Sequence, residues 1–343
     1  MTNPVTARSY NASNVQPTST DDHQPYDIIG DIHGQADKLE GLLRKLGYRE
    51  TSGVWRHPER QAIFVGDFID RGPAQVRSVN IVRRMVAAGA ALAAMGNHEL
   101  NAIAWHTPDP NRPGEYLRPR NSAEWGEKNR HQHAAFLAEV EHLPALHAEL
   151  IDWFLTLPLW IDLPALRVVH ACWRQPFLDW LAPRLDRGRY LTRDLMVAAT
   201  AEPDDETEKD DATPSIFKAV ECLTKAIEVP LPSGHTFEDK DGHIRSRVRV
   251  RWWDSNASTY RTAAMLSPAE ASALPDIPIP EHARIHLDEK PVLFGHYWLT
   301  GDIVLQSTRS ACVDYSAGKG GPLVAYRFDG ENDLATEKFV WVD

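Results

Sequence analysis

Cysteine is scarce. Cys172, Cys222 and Cys312 are the only three in 343 residues, scattered and without C-x-x-C spacing. That excludes a disulfide framework and a thiolate zinc ribbon, and it predicts buried thiols in a reducing, cytoplasmic compartment. Long apolar runs are missing too. The longest, Met85 to Met95, is mostly alanine and spans eleven residues, against about 20 for a membrane helix. No spanning segment is expected, and the first 25 residues hold no apolar stretch of the kind a secretory leader requires. An excess of positive charge is likewise absent: 37 Lys+Arg against 48 Asp+Glu give −11. A broad cationic face for duplex nucleic acid is therefore excluded, and a small anionic ligand would need local help.

What is present is organised. Residues 1–24 are polar and aperiodic, which predicts a disordered tail, and 25–343 form the folded part. A short apolar run ending in glycine and polar residues, then a helical pattern, occurs three times. YDII (26–29) precedes GDIHG and a helix carrying Leu39, Leu42, Leu43 and Leu46, closed by Gly47. AIFV (62–65) precedes GDFIDRG and a helix from about Ala74 with Val79, Val82 and Val86 on one face. ALAAM (91–95) precedes GNHE and a third helix. Such alternation predicts βαβ units in an α/β protein, with ligands beyond the carboxyl ends of the strands. Residues 122–157 read as helical with Trp125, Phe136, Leu137, Trp153 and Phe154 in the core, and LRVVH (166–170) as a buried strand. From about 175 to 290 the pattern weakens into an inserted cap, with an acidic run at 202–211 read as a solvated loop and a hairpin near Asp239–Gly242. Strands return at PVLF, IVLQS, ACVDY, PLVAYRF and KFVWVD.

The strand ends collect Asp31 and His33; Asp67, Asp70 and Arg71; Asn97, His98 and Glu99; His170; and His296. Carboxylate, imidazole and amide oxygen suit borderline or hard divalent ions such as Mn²⁺, Fe²⁺, Zn²⁺ or Mg²⁺. Asp31 and His33, two apart on an extended loop, can grip one ion, and Asp67 can bridge to a second. Singly, each has a plainer reading: Asp31 or Asn97 as a helix cap, Asp70–Arg71 as an ion-paired turn, His170 and His296 as structural histidines. Together, those readings leave unexplained why glycine adjoins every cluster, as where a backbone must approach something closely. Most other histidines, His131, His133 and His235 among them, read as surface residues.

GDIHG (30–34), GDFIDRG (66–72) and GNHE (96–99), spaced 36 and 30 residues apart, with VVH (168–170) and FGH (294–296), resemble the signature of calcineurin-like metallophosphoesterases. The phosphoprotein phosphatase branch and the symmetrical dinucleoside tetraphosphatases are the nearest groups. The resemblance implies two mixed β-sheets in a sandwich flanked by helices, with a dinuclear centre at the strand ends. Asp31 and His33 would bind the first metal, Asp67 would bridge, and Asn97, His170 and His296 would bind the second, most simply manganese. His98, held by Asp70, would be the general acid, Arg71 would clamp phosphate, and Asn97 and Arg251 would contact substrate. The implied reaction is in-line attack of a metal-bridging hydroxide on a phosphomonoester, phosphoserine or phosphothreonine protein included. The alternative is a dinucleoside polyphosphate or nucleotide, with Trp252, Trp253 and Trp298 available to stack a base. A non-catalytic scaffold is the minor reading. The chain departs from the pattern at His170-Ala171-Cys172-Trp173, where protein phosphatases carry two glycines and tetraphosphatases HAG, and at Glu99, where tetraphosphatases carry aspartate. Tyr315 is a weak candidate for the phosphatases' C-terminal tyrosine, and Arg249 competes with Arg251 as a second phosphate arginine.

Overall fold

A computed structural model describes residues 24–238 and 242–343. The tail expected at 1–24, all but its last residue, and the tip of the hairpin expected at 239–242 lie outside the described residues. Nine strands build two sheets: β1 Tyr26–Ile29, β2 Gln61–Phe64, β3 Ala91–Ala93, β4 Trp160–Asp162, β5 Arg167–Val169, β6 Val292–Phe294, β7 Ser310–Cys312, β8 Leu323–Phe328 and β9 Phe339–Val342. The first sheet runs β9-β8-β1-β2-β3 and the second β7-β6-β5-β4. Both are mixed. In the first sheet β1, β2, β3 and β9 run one way and β8 runs antiparallel between β1 and β9, and in the second β5, β6 and β7 are parallel while β4 runs antiparallel.

The sandwich follows from period-two patterning. Ile28, Ile63, Val324 and Tyr326 of the first sheet share one core with Val168, Leu293 and Ala311 of the second. Their sequence neighbours face outward into a second core. On one side Ile29, Phe64 and Ala325 meet Leu39, Leu43, Val79 and Val82; on the other Val169, Phe294 and Cys312 meet Leu223, Trp252 and Trp253. Both faces of both sheets are thus covered, which is why these strands read as nearly continuous apolar runs.

The three helices after the glycine motifs are α1 Ala36–Leu46, α2 Gln75–Ala87 and α3 Asn97–His106. α1 buries Leu39, Leu42, Leu43 and Leu46 and ends where predicted: Gly47 has φ 97°, its N–H donates to Arg44 O, and Tyr48 N–H donates to Leu43 O. A left-handed glycine there satisfies carbonyls the last turn leaves open. α2 buries Val79, Val82 and Met85, with Val86 only partly covered. The helical stretch at 122–157 resolves into 126–132, 134–140 and 144–154. Phe136, Leu137 and Phe154 are buried, but Trp125 is 44 % exposed, against expectation, because it precedes the helix that packing would have to present. IVLQS forms no strand; Ile303 and Leu305 cover the inter-sheet core from a loop instead. Phe237–Glu238 pairs antiparallel with Ile244–Arg245. The acidic run folds at Glu206–Asp210 into a short helix whose carboxylates engage Lys209 and Arg247, so it is more than a solvated loop. All three cysteines are free and buried. Among the described residues, no helix is long and apolar enough to cross a membrane.

Candidate metal centre

Five loops from both sheets converge at the carboxyl ends of β1, β2, β3, β5 and β6. Backbone hydrogen bonds lock them together. Ile32 and His33 N–H both donate to Asp67 O, at 3.0 and 2.9 Å, Gly72 N–H donates to His33 O at 2.9 Å, and Gly295 N–H donates to His170 O at 2.8 Å. His296 N–H donates to Asp31 Oδ2 at 3.0 Å, tying the last loop to the first. Asp67 Oδ1 accepts from the His98 N–H at 2.9 Å and so caps the start of α3 from another loop. The glycines serve these approaches. A Cβ on Gly96 would lie 2.2 Å from Asp67 Oδ1, and one on Gly295 would lie 2.0 Å from Asp31 Oδ1.

The backbone is strained here. His33, Asp67, Asp70, Arg71, His296 and Trp298 have φ between 46° and 75°. Left-handed conformations of non-glycine residues cost about 1–3 kcal/mol each and persist where surroundings over-determine them.

The carboxylates and imidazoles of these loops are buried with acceptor atoms left over. His33 Nδ1 lies 2.9 Å from Ile69 O and His170 Nδ1 lies 3.0 Å from Val65 O, which turns each Nε2 toward the pocket. His170 Nε2 then sits 3.3 Å from Asp67 Oδ2 and 3.1 Å from Asn97 Oδ1, and His296 Nδ1 sits 2.9 Å from the same Asn97 oxygen. His33 and His98 place Nε2 at 3.7 and 3.9 Å from Asp67 Oδ2. Two groups could each hold an ion and share Asp67: His33, Asp67 and His98, and Asp67, His170 and His296. Asp31 Oδ1, His33 Nε2, Asp67 Oδ2 and His296 Nε2 are buried with no hydrogen-bond partner among the described residues. Buried ligand atoms without partners are costly unless a cation takes them, so the donor set fits two divalent ions.

Electrostatics agree. Burial and then the neighbouring Asp314 and Asp67 raise the Asp31 carboxyl well above its ordinary value. Burial opposes ionisation of Asp67 as well, but His170, His98 and His33 outweigh it and hold that carboxyl well below the usual range. Burial, with the His98 charge next, lowers His33 to about 3, and burial with Arg249 lowers His296 well below its ordinary value. Both imidazoles are thus neutral, the form that ligates metal. Glu99 is raised to about 7 by burial and Asp67, while its oxygens accept from the N–H groups of Gly96, Asp67 and Phe68 at 2.8–3.1 Å. Positive ions would relieve this crowding of buried carboxylates.

His98 Nδ1 lies 2.6 Å from Asp70 Oδ2. Burial alone would lower His98, yet Asp67 and Asp70 prevail and raise it. Arg71 is exposed, its guanidinium stacked 4.0 Å over the Trp298 ring, and that ring stacks on His33 at 4.9 Å. Arg251 sits elsewhere, lining a crevice with Trp252, Asp254, Arg284 and His286. Arg249 is the arginine of the pair whose charge reaches His296. Trp252 and Trp253 are buried, packed on Phe294 with ring centroids at 4.9 and 5.1 Å. The Tyr315 hydroxyl is engaged by the Val304 backbone, donating at 3.1 Å and accepting at 3.0 Å.

Two residues were not legible. Asp314 is buried beside the site, accepting from the Trp298 and Ser316 N–H groups at 2.7 and 3.0 Å. Its motif, CVDYSAG, gave no cue beyond the tyrosine. His133, read as a surface residue, is 3 % exposed and lies 2.8 Å from Asp70 Oδ1. His131 is exposed and His235 partly so, as expected.

Residues 25–187 match the family described as calcineurin-like phosphoesterase. That segment is a calcineurin-like phosphoesterase domain. It carries Asp31 through His170, while His296 reaches the same site from beyond it. Two curated relatives share the name bis(5'-nucleosyl)-tetraphosphatase PrpE [asymmetrical]. The one from Oceanobacillus iheyensis is 45% identical over 73 residues, 21% of this chain and 29% of that protein. The one from Bacillus cereus (strain AH187) is 36% identical over 162 residues, 45% of this chain and 59% of that protein. The chain thus spans between about a third and three-fifths of these relatives. A crystal structure of the cold-active protein-tyrosine phosphatase of a psychrophile Shewanella sp. covers 94% of this chain and 81% of its own, with a TM-score of 0.41 and 18% identity.

Proposed function

We propose that the calcineurin-like phosphoesterase domain and the residues that complete its site hydrolyse phosphoanhydride or phosphoester bonds with two divalent ions, and that dinucleoside polyphosphates or nucleotides are the substrate class. What supports the substrate class is the 36% identity over 162 residues to a protein named as a dinucleoside tetraphosphatase. The phosphoprotein reading, ranked first from sequence, has no comparable support. When bound, the ions, manganese first and iron, zinc or magnesium next, would neutralise phosphate charge and activate water.

The chain's own residues do the rest. Asp31, His33, Asp67, Asn97, His170 and His296 form the cradle. Arg71, a planar donor fork whose Cζ lies 4.0 Å over the Trp298 ring, would take two phosphate oxygens at once. Asp70 accepts from His98 Nδ1–H and so leaves Nε2 to protonate the departing oxygen. Arg249, whose charge reaches His296 although it also pairs with Glu228 at 3.3 Å, would serve as second phosphate arginine ahead of Arg251, which lines a separate crevice.

The test is a substrate panel on protein loaded with each metal in turn: a dinucleoside tetraphosphate, an aryl phosphate and a phosphopeptide, with chelated and His98→Ala controls. Preferential cleavage of the tetraphosphate is expected, and the product ratio tells unequal from equal splitting. Turnover of the phosphopeptide alone would reverse the substrate assignment.

A further inference from the structure

Asp70 is 2 % exposed and both its oxygens are taken by imidazoles, Oδ2 by His98 Nδ1 at 2.6 Å and Oδ1 by His133 Nδ1 at 2.8 Å. Its backbone N–H donates to Gln75 Oε1 at 2.6 Å, and the Gln75 backbone N–H donates in turn to Glu139 Oε1 at 2.7 Å. His133 stands at the joint between helices Gly126–Gln132 and Ala134–Val140, its ring set against Phe136 and Trp105 with centroids at 5.0 and 6.0 Å. Among the described residues its Nε2 has no hydrogen-bond partner, so Asp70 is what the polar edge of this ring engages. A polar ring placed so deep is costly to keep unless that one contact is worth holding.

We infer that His133 is a positioning residue, clamping Oδ1 of Asp70 so that Oδ2 holds His98 with Nε2 turned to the leaving group. The inference rests on the hydrolase reading above. A carboxylate turns easily about its last torsion, which has broad, two-fold wells. With only His98 on it, Asp70 would keep one buried oxygen unpaired and would rotate or admit water to satisfy it. His133 removes that freedom, and Asp70 in turn holds the Nδ1–H of His98 and favours the imidazolium whose Nε2–H faces the pocket. In the step served, the P–O bond to the leaving group breaks as the attacking water's oxygen bonds to phosphorus. His98 Nε2 gives its proton to the departing oxygen, and the proton released by the water restores it, so hydrolysis balances.

The amide of asparagine reaches the place of a histidine Nδ1, whereas that of glutamine reaches the place of Nε2. His133→Asn should therefore keep the clamp and His133→Gln should lose it. With aryl phosphates of graded leaving-group acidity, His133→Gln should lower kcat on the order of tenfold to a hundredfold for the poorest leaving group. For the best one it should lower kcat less than about threefold, because a good leaving group needs little protonation. KM and bound metal should not move, and His133→Asn should stay near wild type. A uniform loss across the series, equal behaviour of the two variants, or a fall in metal content would overturn the assignment. A readout independent of turnover is the far-downfield proton resonance of the short His98–Asp70 hydrogen bond, expected in wild type and His133→Asn and broadened or lost in His133→Gln. If the wild-type protein hydrolyses neither the tetraphosphate nor any phosphate ester, the functional reading fails and this resonance alone decides whether His133 sets the Asp70 carboxylate.

Discussion

In the proposed reading, one planar side chain, Arg71, takes the phosphate. Its guanidinium lies on Trp298, a residue itself held at φ 52° by the Asp314 carboxylate. Lysine would keep the charge but lose both the fork and the stacking. Arg71→Lys should lower kcat/KM for the preferred substrate by roughly tenfold to a hundredfold, the equivalent of about 1.5–3 kcal/mol for a charged hydrogen-bonding group. Steady-state kinetics with unchanged metal content would show it, and a loss below threefold would remove Arg71 from the phosphate contact. The ligand residues were legible because chemistry restricts them to few side-chain types at fixed offsets from glycine. Asp314 and His133 were not, since an isolated acid or histidine carries no spacing, and only the turn at Trp298 and the packing of Phe136 bring them in.

Among the elements, the loops after strands matter more than the strands. Two of these loops meet a neighbour through a glycine with no room for a methyl group, Gly295 against Asp31 and Gly96 against Asp67. Gly295→Ala should cost about 1–3 kcal/mol through overpacking, with a larger consequence for the cradle because the displaced atom is Asp31 Oδ1, a proposed ligand oxygen. Metal stoichiometry by elemental analysis should fall below two ions per chain while the protein remains folded by circular dichroism. Full stoichiometry in that variant would show that the loop can yield without disturbing Asp31. Helices α1 and α2 were read correctly in place and face from periodicity, and the end of α1 from Gly47. Residues 303–307 were misread, since alternating apolar residues bury a loop on a core as readily as they build a strand. Trp125 was misread because size and apolarity say nothing about which side of a joint a residue falls.

On the scale of the molecule, buried His147 and half-buried His106, with ring centroids 4.8 Å apart, predict a response to acid. Burial, then the positive charge of His106, lowers His147 to about 4, and burial lowers His106 as well. A folded-state value below that of the unfolded chain, near 6.5, means the unfolded state takes up the proton first as pH falls. Stability contributed by neutral His147 is therefore complete above about pH 6.5 and is lost as pH drops toward 4, with a slope of at most about 1.4 kcal/mol per pH unit. Thermal unfolding at pH 7.5, 6 and 5 should show the decline, and His147→Leu should flatten it; an identical slope in the variant would assign the acid sensitivity to other groups. By itself the sequence determined the α/β class, the family resemblance, the first three loops and the set of ligand types, because local periodicity and short-range spacing are written along the chain. Only the tertiary structure decided that His170 and His296 meet Asp67 and Asn97, that Arg251 lines a separate crevice, and that His133 closes on Asp70. Those are contacts between distant segments, and their geometry comes from how two twisted sheets pack, which no residue spacing encodes.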